Sequence, residues 1–169
     1  MRQASGMLTS RFALPLLALF ASAPMARAEA VDLVRVDKSE RLLELLSGDK
    51  VVRSYAVALG ANPVGHKRQE GDERTPEGRY VLDWRNPGSA FTKSIHISYP
   101  DADDKAAAKR AGVDPGGMIM IHGQSKGFGW WSWLMQMFDW TNGCIAVTDE
   151  DMAEIWKMVE NGTPIEINP

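Results

Sequence analysis

From Val31 onward the chain is cut into short β-compatible runs by turn-forming residues, and this segmentation most limits its fold. Val31 to Asp37 alternates, with Val31, Leu33 and Arg35 on one side and Asp32, Val34 and Val36 on the other. Such alternation marks a strand with two unlike faces. Arg41 to Ser47 and Val51 to Leu59 are also β-compatible, joined by Gly48-Asp49-Lys50. Tyr80 to Trp84, Lys93 to Tyr99 and Met118 to Ile121 continue the series. Pro100 ends one run, Pro115-Gly116-Gly117 turns into another, and Pro164 to Asn168 is a candidate last strand closing the sheet. Single strands this short are not stable alone, so the predicted fold is a mainly β meander with a few short helices. Leu42, Leu43, Leu45 and Leu46 suit a helix face as well as a strand.

Gly60 to Gly78 is a polar loop holding Gly60, Pro63, Gly65, Gly71, Pro76 and Gly78, a density of turn formers that implies a shaped connection. Asp101 to Ala111 is rich in Ala and Lys and reads as a helix stopped at Gly112. Thr148-Asp149-Glu150-Asp151 reads as a helix cap with an acidic first turn. Met152, Ile155, Trp156 and Val159 follow at helical spacing, with Gly162 as the expected stop. Trp130, Trp133, Leu134 and Met137 also share helical spacing and read as packing. The alternative is that Trp130 and Trp131 wall a substrate groove or form a lid. The nine methionines read as core filler.

The N-terminal residues read as a secretory signal. Arg2 and Arg11 precede or open an apolar run from Phe12 to Ala23, and Ala26-Arg27-Ala28 has the small-x-small form of a cleavage site. Residues 1–28 are therefore expected to be a signal peptide and 29–169 one exported domain. The run is short for a membrane span and is interrupted by Pro15 and Pro24, so no span is expected after cleavage. A domain of about 140 residues buries enough surface to fold without disulfides. Removing Arg2, Arg11 and Arg27 takes the 19 basic residues to 16 against 22 acidic, and the net charge from −3 to −6. That balance argues against non-specific nucleic-acid binding. Nothing in the chain specifies an oligomeric state.

Cys144 is the single cysteine. It has no intramolecular disulfide partner, and a free thiol in an oxidising compartment is a liability. It stands in Thr141-Asn142-Gly143-Cys144-Ile145-Ala146, downstream of Ile121-His122-Gly123. A histidine beside a thiol lowers its pKa or takes its proton. Gly123 and Gly143 allow close backbone approach, and a tight turn at Gly143 offers amides to an oxyanion. These are the parts of a Cys-His acyl-transfer site. The competing reading is a small buried cysteine and a hydrogen-bonded structural histidine.

The motifs resemble the active-site pattern of the L,D-transpeptidases with a YkuD-type catalytic domain. His122-Gly123 followed by Thr141-x-Gly143-Cys144-Ile145 is similar to that family's His and Ser/Thr-x-Gly-Cys elements. Gly71-Asp72-x-x-Thr75-Pro76-x-Gly78-x-Tyr80 resembles the upstream segment, with Gly65 and Lys67 just before it. The resemblance runs from about Val31 to the C-terminus. It implies a β-sandwich, a periplasmic or wall location and action on peptidoglycan stem peptides, with no metal or organic cofactor. Cys144 would attack the meso-diaminopimelate carbonyl at its L-centre, releasing D-alanine and leaving a thioester. His122 would serve as general base and then acid, and the Gly143 and Cys144 amides would hold the oxyanion. Gly123, Thr141, Asn142 and Lys67 would bind substrate. An amine acceptor makes the protein a transferase and water makes it a hydrolase. A non-catalytic wall-binding module is the reading from another class.

Three features depart from the family pattern. Asn142 stands where many members carry histidine, Ala146 where many carry Arg or Asn, and the segment from Gly123 to Trp140 is long and aromatic. His96 points opposite to Ile95 and Ile97 on its strand, either toward the site as a substrate-side partner or toward solvent. His66 reads as solvated. Lys67, Arg68, Arg74 and Arg79 are candidate carboxylate binders or a solvated loop face. The spacings of His66, His96, His122 and Cys144 match no zinc pattern.

Overall fold

The computed structural model describes residues 30–125 and 132–169. The expected signal peptide at 1–28, and Trp130 and Trp131, lie outside the described residues. Eight strands make one hydrogen-bonded sheet: β1 (Leu33–Asp37), β2 (Leu42–Ser47), β3 (Lys50–Ala56), β4 (Gly78–Asn86), β5 (Ser94–Ile97), β6 (Met120–His122), β7 (Ile145–Ala146) and β8 (Thr163–Asn168). Their order across the sheet is β3-β2-β1-β8-β4-β5-β6-β7. Ala58, just past β3, bridges Ala146 in β7 with backbone bonds of 2.9 and 2.8 Å. The two ends of the sheet therefore meet, and the mainly β fold is one sheet curled around a single core.

Alternation fills that core. Val34 and Val36 of β1 and Ile165 and Ile167 of β8 are buried side by side in parallel register, Val34 opposite Ile165. Leu43, Leu82, Ile95, Ile121 and Ile145 join them from the other strands. The leucine-rich segment is a strand and not a helix. Leu43 and Leu45 join the core opposite Val36 and Val34, while Leu46 is opposite Leu33 and is buried on the other face; the register shift beside it places the extra residue, Val52, in β3. The last strand, β8, lies in the middle of the sheet between β1 and β4. Pro164 is tolerated there because pairing with β1 starts only at Ile165.

Helix α1 (Ala102–Ala111) starts at a reciprocal capping box between Asp101 and Asp104 and ends at left-handed Gly112, as its sequence predicts. Helix α2 (Ser132–Met135) is a single turn. Helix α3 (Asp149–Met158) is capped by Thr148 Oγ1 and buries Met152 and Ile155. It stops before the expected Gly162: Val159 is already extended and fully buried, so the chain leaves the helix to seat it in the core. Among the methionines, Met152 is core, whereas Met118 and Met137 are about two-thirds exposed, at 64% and 65%. The filler reading therefore fails for those two, and Met137 does not pack as its helical spacing predicts.

Candidate active site

Strands β6 and β7 bring the motif residues together. They run parallel, with Ile121 opposite Ile145 and His122 opposite Ala146. Ile121 and Ile145 point into the core, so alternation puts His122 and Cys144, which immediately precedes β7, on the other face of adjacent strands. The Cys144 thiol is half-buried and donates to the Met118 carbonyl at 3.7 Å. Met118 reaches that position with a left-handed φ of 56°, costly for a residue with a side chain.

His122 is 3% exposed. Its Nδ1 lies 2.6 Å from the Gly123 carbonyl, which only accepts, so Nδ1 carries the proton and Nε2 is left with a lone pair. The ring is boxed by Phe91, with centroids 4.3 Å apart, and by Trp140 at 5.9 Å edge-on. Burial pushes the imidazole pKa down, opposed by the bond to Gly123. Burial also pushes the Cys144 thiol up, offset in part by the Met120 backbone and the Lys67 charge. The resting pair is thus a neutral thiol and a neutral imidazole, not the depressed thiol expected from a nearby histidine.

The glycines are needed where predicted. A Cβ on Gly143, at φ 118°, would sit 2.5 Å from the Arg74 carbonyl oxygen, and one on Gly123 would sit 2.4 Å from Asp149 Oδ1. Gly60, not singled out as a site residue, packs its backbone on the same turn: its Cβ would lie 3.0 Å from Gly143 Cα. Thr141 is buried, and its hydroxyl donates to the Cys144 carbonyl at 2.7 Å while accepting the Gly143 amide at 3.1 Å. Thr141 thus shapes the loop from inside, and the Gly143 amide, expected as an oxyanion donor, is held by its hydroxyl.

Lys67 is 3% exposed and pairs with Asp72 at 2.8 Å and the Gln69 carbonyl at 3.0 Å. It is a buried pin of the Gly60–Gly78 loop whose charge reaches the thiol. Asn142 is exposed and lines a cleft of about 300 Å³ with Lys67, Glu70, Gly71, Glu73, Gly116 and Gly117. His96 is turned to Asp83, Nδ1 to Oδ1 2.7 Å, and stacks on Trp84. His66 is not simply solvated. Its Nε2 donates to Asp104 at 2.9 Å and its Nδ1 accepts from the Glu77 amide. No cluster of three or more His, Cys, Asp or Glu able to hold a metal occurs among the described residues. Phe91 and Met118 escaped sequence reasoning because neither belongs to a motif, and each reaches the site only through a loop.

One curled sheet thus carries a buried histidine and a half-buried cysteine on a glycine turn, on the same face of neighbouring segments. Residues 32–167 match the family model described as the L,D-transpeptidase catalytic domain, YkuD, and the chain belongs to that family. A curated relative, the putative L,D-transpeptidase YafK of Escherichia coli K12, is 29% identical over 133 residues, covering 75% of this chain and 46% of that protein. The chain thus spans about half the length of this relative. The crystal structure of the helical cell shape determining protein Pgp2 from Campylobacter jejuni has a TM-score of 0.62 at 24% identity, covering 81% of this chain and 47% of the other. An L,D-transpeptidase from Mycobacterium smegmatis has a TM-score of 0.53 at 14% identity, covering 81% and 58%. These solved structures share the fold. No helix among the described residues is long and apolar enough to cross a membrane.

Proposed function

We propose that this chain is an exported cysteine acyl-transferase of peptidoglycan stem peptides. The observation that carries the reading is the His122 tautomer: Nδ1–H is tied to Gly123, leaving Nε2 as base on the face shared with Cys144. Nε2 takes the thiol proton as Sγ attacks the meso-diaminopimelate carbonyl, and the same proton passes to the leaving D-alanine amine. The Cys144 amide is assigned to the oxyanion, since the Gly143 amide serves Thr141. An amine then releases the acyl group from the thioester, or water does so in a hydrolase. The Campylobacter neighbour's description as a cell-shape protein fits a role in remodelling the wall.

Incubation of the protein with purified tetrapeptide muropeptides, followed by intact-mass and product mass spectrometry, tests this. We expect an acyl adduct and cross-linked dimers, both lost in Cys144→Ala, with most turnover lost in His122→Ala. Trimmed stems without dimers would assign the hydrolase. Full activity in Cys144→Ala would remove the mechanism, and the absence of any adduct or product would leave a wall-binding module.

A further inference from the structure

Three strands away from Cys144, the outer face of the sheet carries an aromatic residue that plain alternation would bury. In β4, Tyr80 and Leu82 point inward, and Trp84 is next in that series. The β4–β5 register, however, jumps from Leu82 opposite Ile97 to Arg85 opposite Ile95. Asp83 and Trp84 therefore both face the single residue His96, and the bulge turns the indole out of the core. Trp84 is 37% exposed. Its ring stacks on the His96 imidazole at 4.8 Å and 17°, and that imidazole is fixed by Asp83 at 2.7 Å. One face of the indole is thus braced, while the exposed Asp83 carboxylate keeps acceptor capacity beside it.

The placement ties this group to the site. His96 is opposite Met120, and Met120 is one residue before Ile121, the partner of Ile145, so the same row continues to Cys144. Ile95, Ile121 and Ile145 point into the core, so Trp84, His96, Met120 and Cys144 share the outer face. Three strand spacings of about 4.8 Å separate the β4 position from Cys144 by roughly 14 Å. In a peptidoglycan stem, the reacting diaminopimelate carbonyl follows three residues and a lactyl group from the sugar. Extended chain covers at most roughly 3.6 Å per residue, so three residues and the lactyl group bridge a gap of about this length.

We propose that Trp84, braced by His96 and Asp83, is a saccharide platform that stacks a sugar ring of the glycan while the attached stem reaches Cys144. An amphipathic sugar suits this group, with apolar C–H bonds for the indole face and hydroxyls for the carboxylate. The inference rests on the peptidoglycan reading, and it assigns His96 a bracing role.

The test compares disaccharide-tetrapeptide with free tetrapeptide. Wild-type protein is expected to favour the disaccharide substrate in kcat/KM by about tenfold, the worth of one well-placed aromatic contact. Trp84→Ala should bring that ratio to about one and Trp84→Phe should keep most of it. Trp84→Gln replaces the alanine variant if that variant unfolds. Equal kcat/KM for the two substrates in wild type, or an undiminished ratio without the indole, overturns the proposal. Titration calorimetry of the same two ligands on Cys144→Ala protein, with and without Trp84→Ala, reads the platform independently of chemistry. If neither substrate is turned over, the acyl-transfer reading fails, and the platform stands only if the calorimetric preference is present and indole-dependent.

Discussion

Gly143 shows how a residue without a side chain shapes the site. Its φ of 118° and the Arg74 carbonyl 2.5 Å from any added Cβ leave no room for alanine. Gly143→Ala is expected to cost about 3 kcal/mol in thermal or urea unfolding, from strain and displacement of the Arg74 backbone together. The Cys144–His122 pair is governed by burial, which raises the thiol pKa and lowers the imidazole pKa, so both are neutral at rest. Alkylation of Cys144 by iodoacetamide should therefore be slow at neutral pH and climb through and above the ordinary thiol range. A rate already at its plateau at neutral pH would reveal a resting thiolate-imidazolium pair instead.

Among the elements, the loop from Gly60 to Gly78 behaves as a structured part because buried lysines hold it. Lys38 Nζ donates to the Gly65 and Thr75 carbonyls and to Glu77, and Lys67 pairs with Asp72. Burial raises the Asp72 pKa, but the amides of Arg68, Gln69 and Arg74 and the Lys67 ammonium outweigh it and hold it at about 2, below the ordinary 3.8. The lowered folded pKa means this carboxylate stabilises the fold above pH 4, and the contribution is lost as pH falls from about 4 toward 2. Its size is on the order of 1–2 kcal/mol, reduced by partial solvent screening. Lys67→Met removes the ion-pair partner while the three amides remain, and should cost about 1–2 kcal/mol at neutral pH. An acid unfolding profile that is unchanged in this variant would show that the pair is not what holds the loop.

Across the whole molecule, closure of the sheet brings Asp139 and Trp140 onto the site. Asp139 accepts Arg41 Nε at 3.2 and 3.0 Å and Nη2 at 2.6 Å, and also the Leu59 amide at 2.9 Å. The adjoining Trp140 then meets the His122 ring, and Thr141 bridges Gly60. Asp139→Ala breaks the tie between the β1–β2 turn and this segment. It is expected to lower stability by about 2 kcal/mol and to reduce turnover as well, because the imidazole loses one wall of its box. A variant that loses stability but keeps full turnover would show that Trp140 does not position His122.

The sequence by itself determined what depends on neighbours along the chain. The strands follow from alternation, α1 and the start of α3 from their caps, and the Cys-His pair from glycine-flanked motifs. Tertiary structure decided what depends on pairing between distant segments. It put β8 in the middle of the sheet and made the four-leucine segment a strand buried on both faces beside a bulge in β3. It also buried Lys67 and Thr141 as internal partners and committed the Gly143 amide to a hydroxyl. The same pairing brought Phe91 onto His122 and turned Trp84 outward beside His96. Alternation and capping are local preferences a linear pattern can express, whereas register, bulges and the occupant of each buried hydrogen bond are set only when strands far apart in sequence meet.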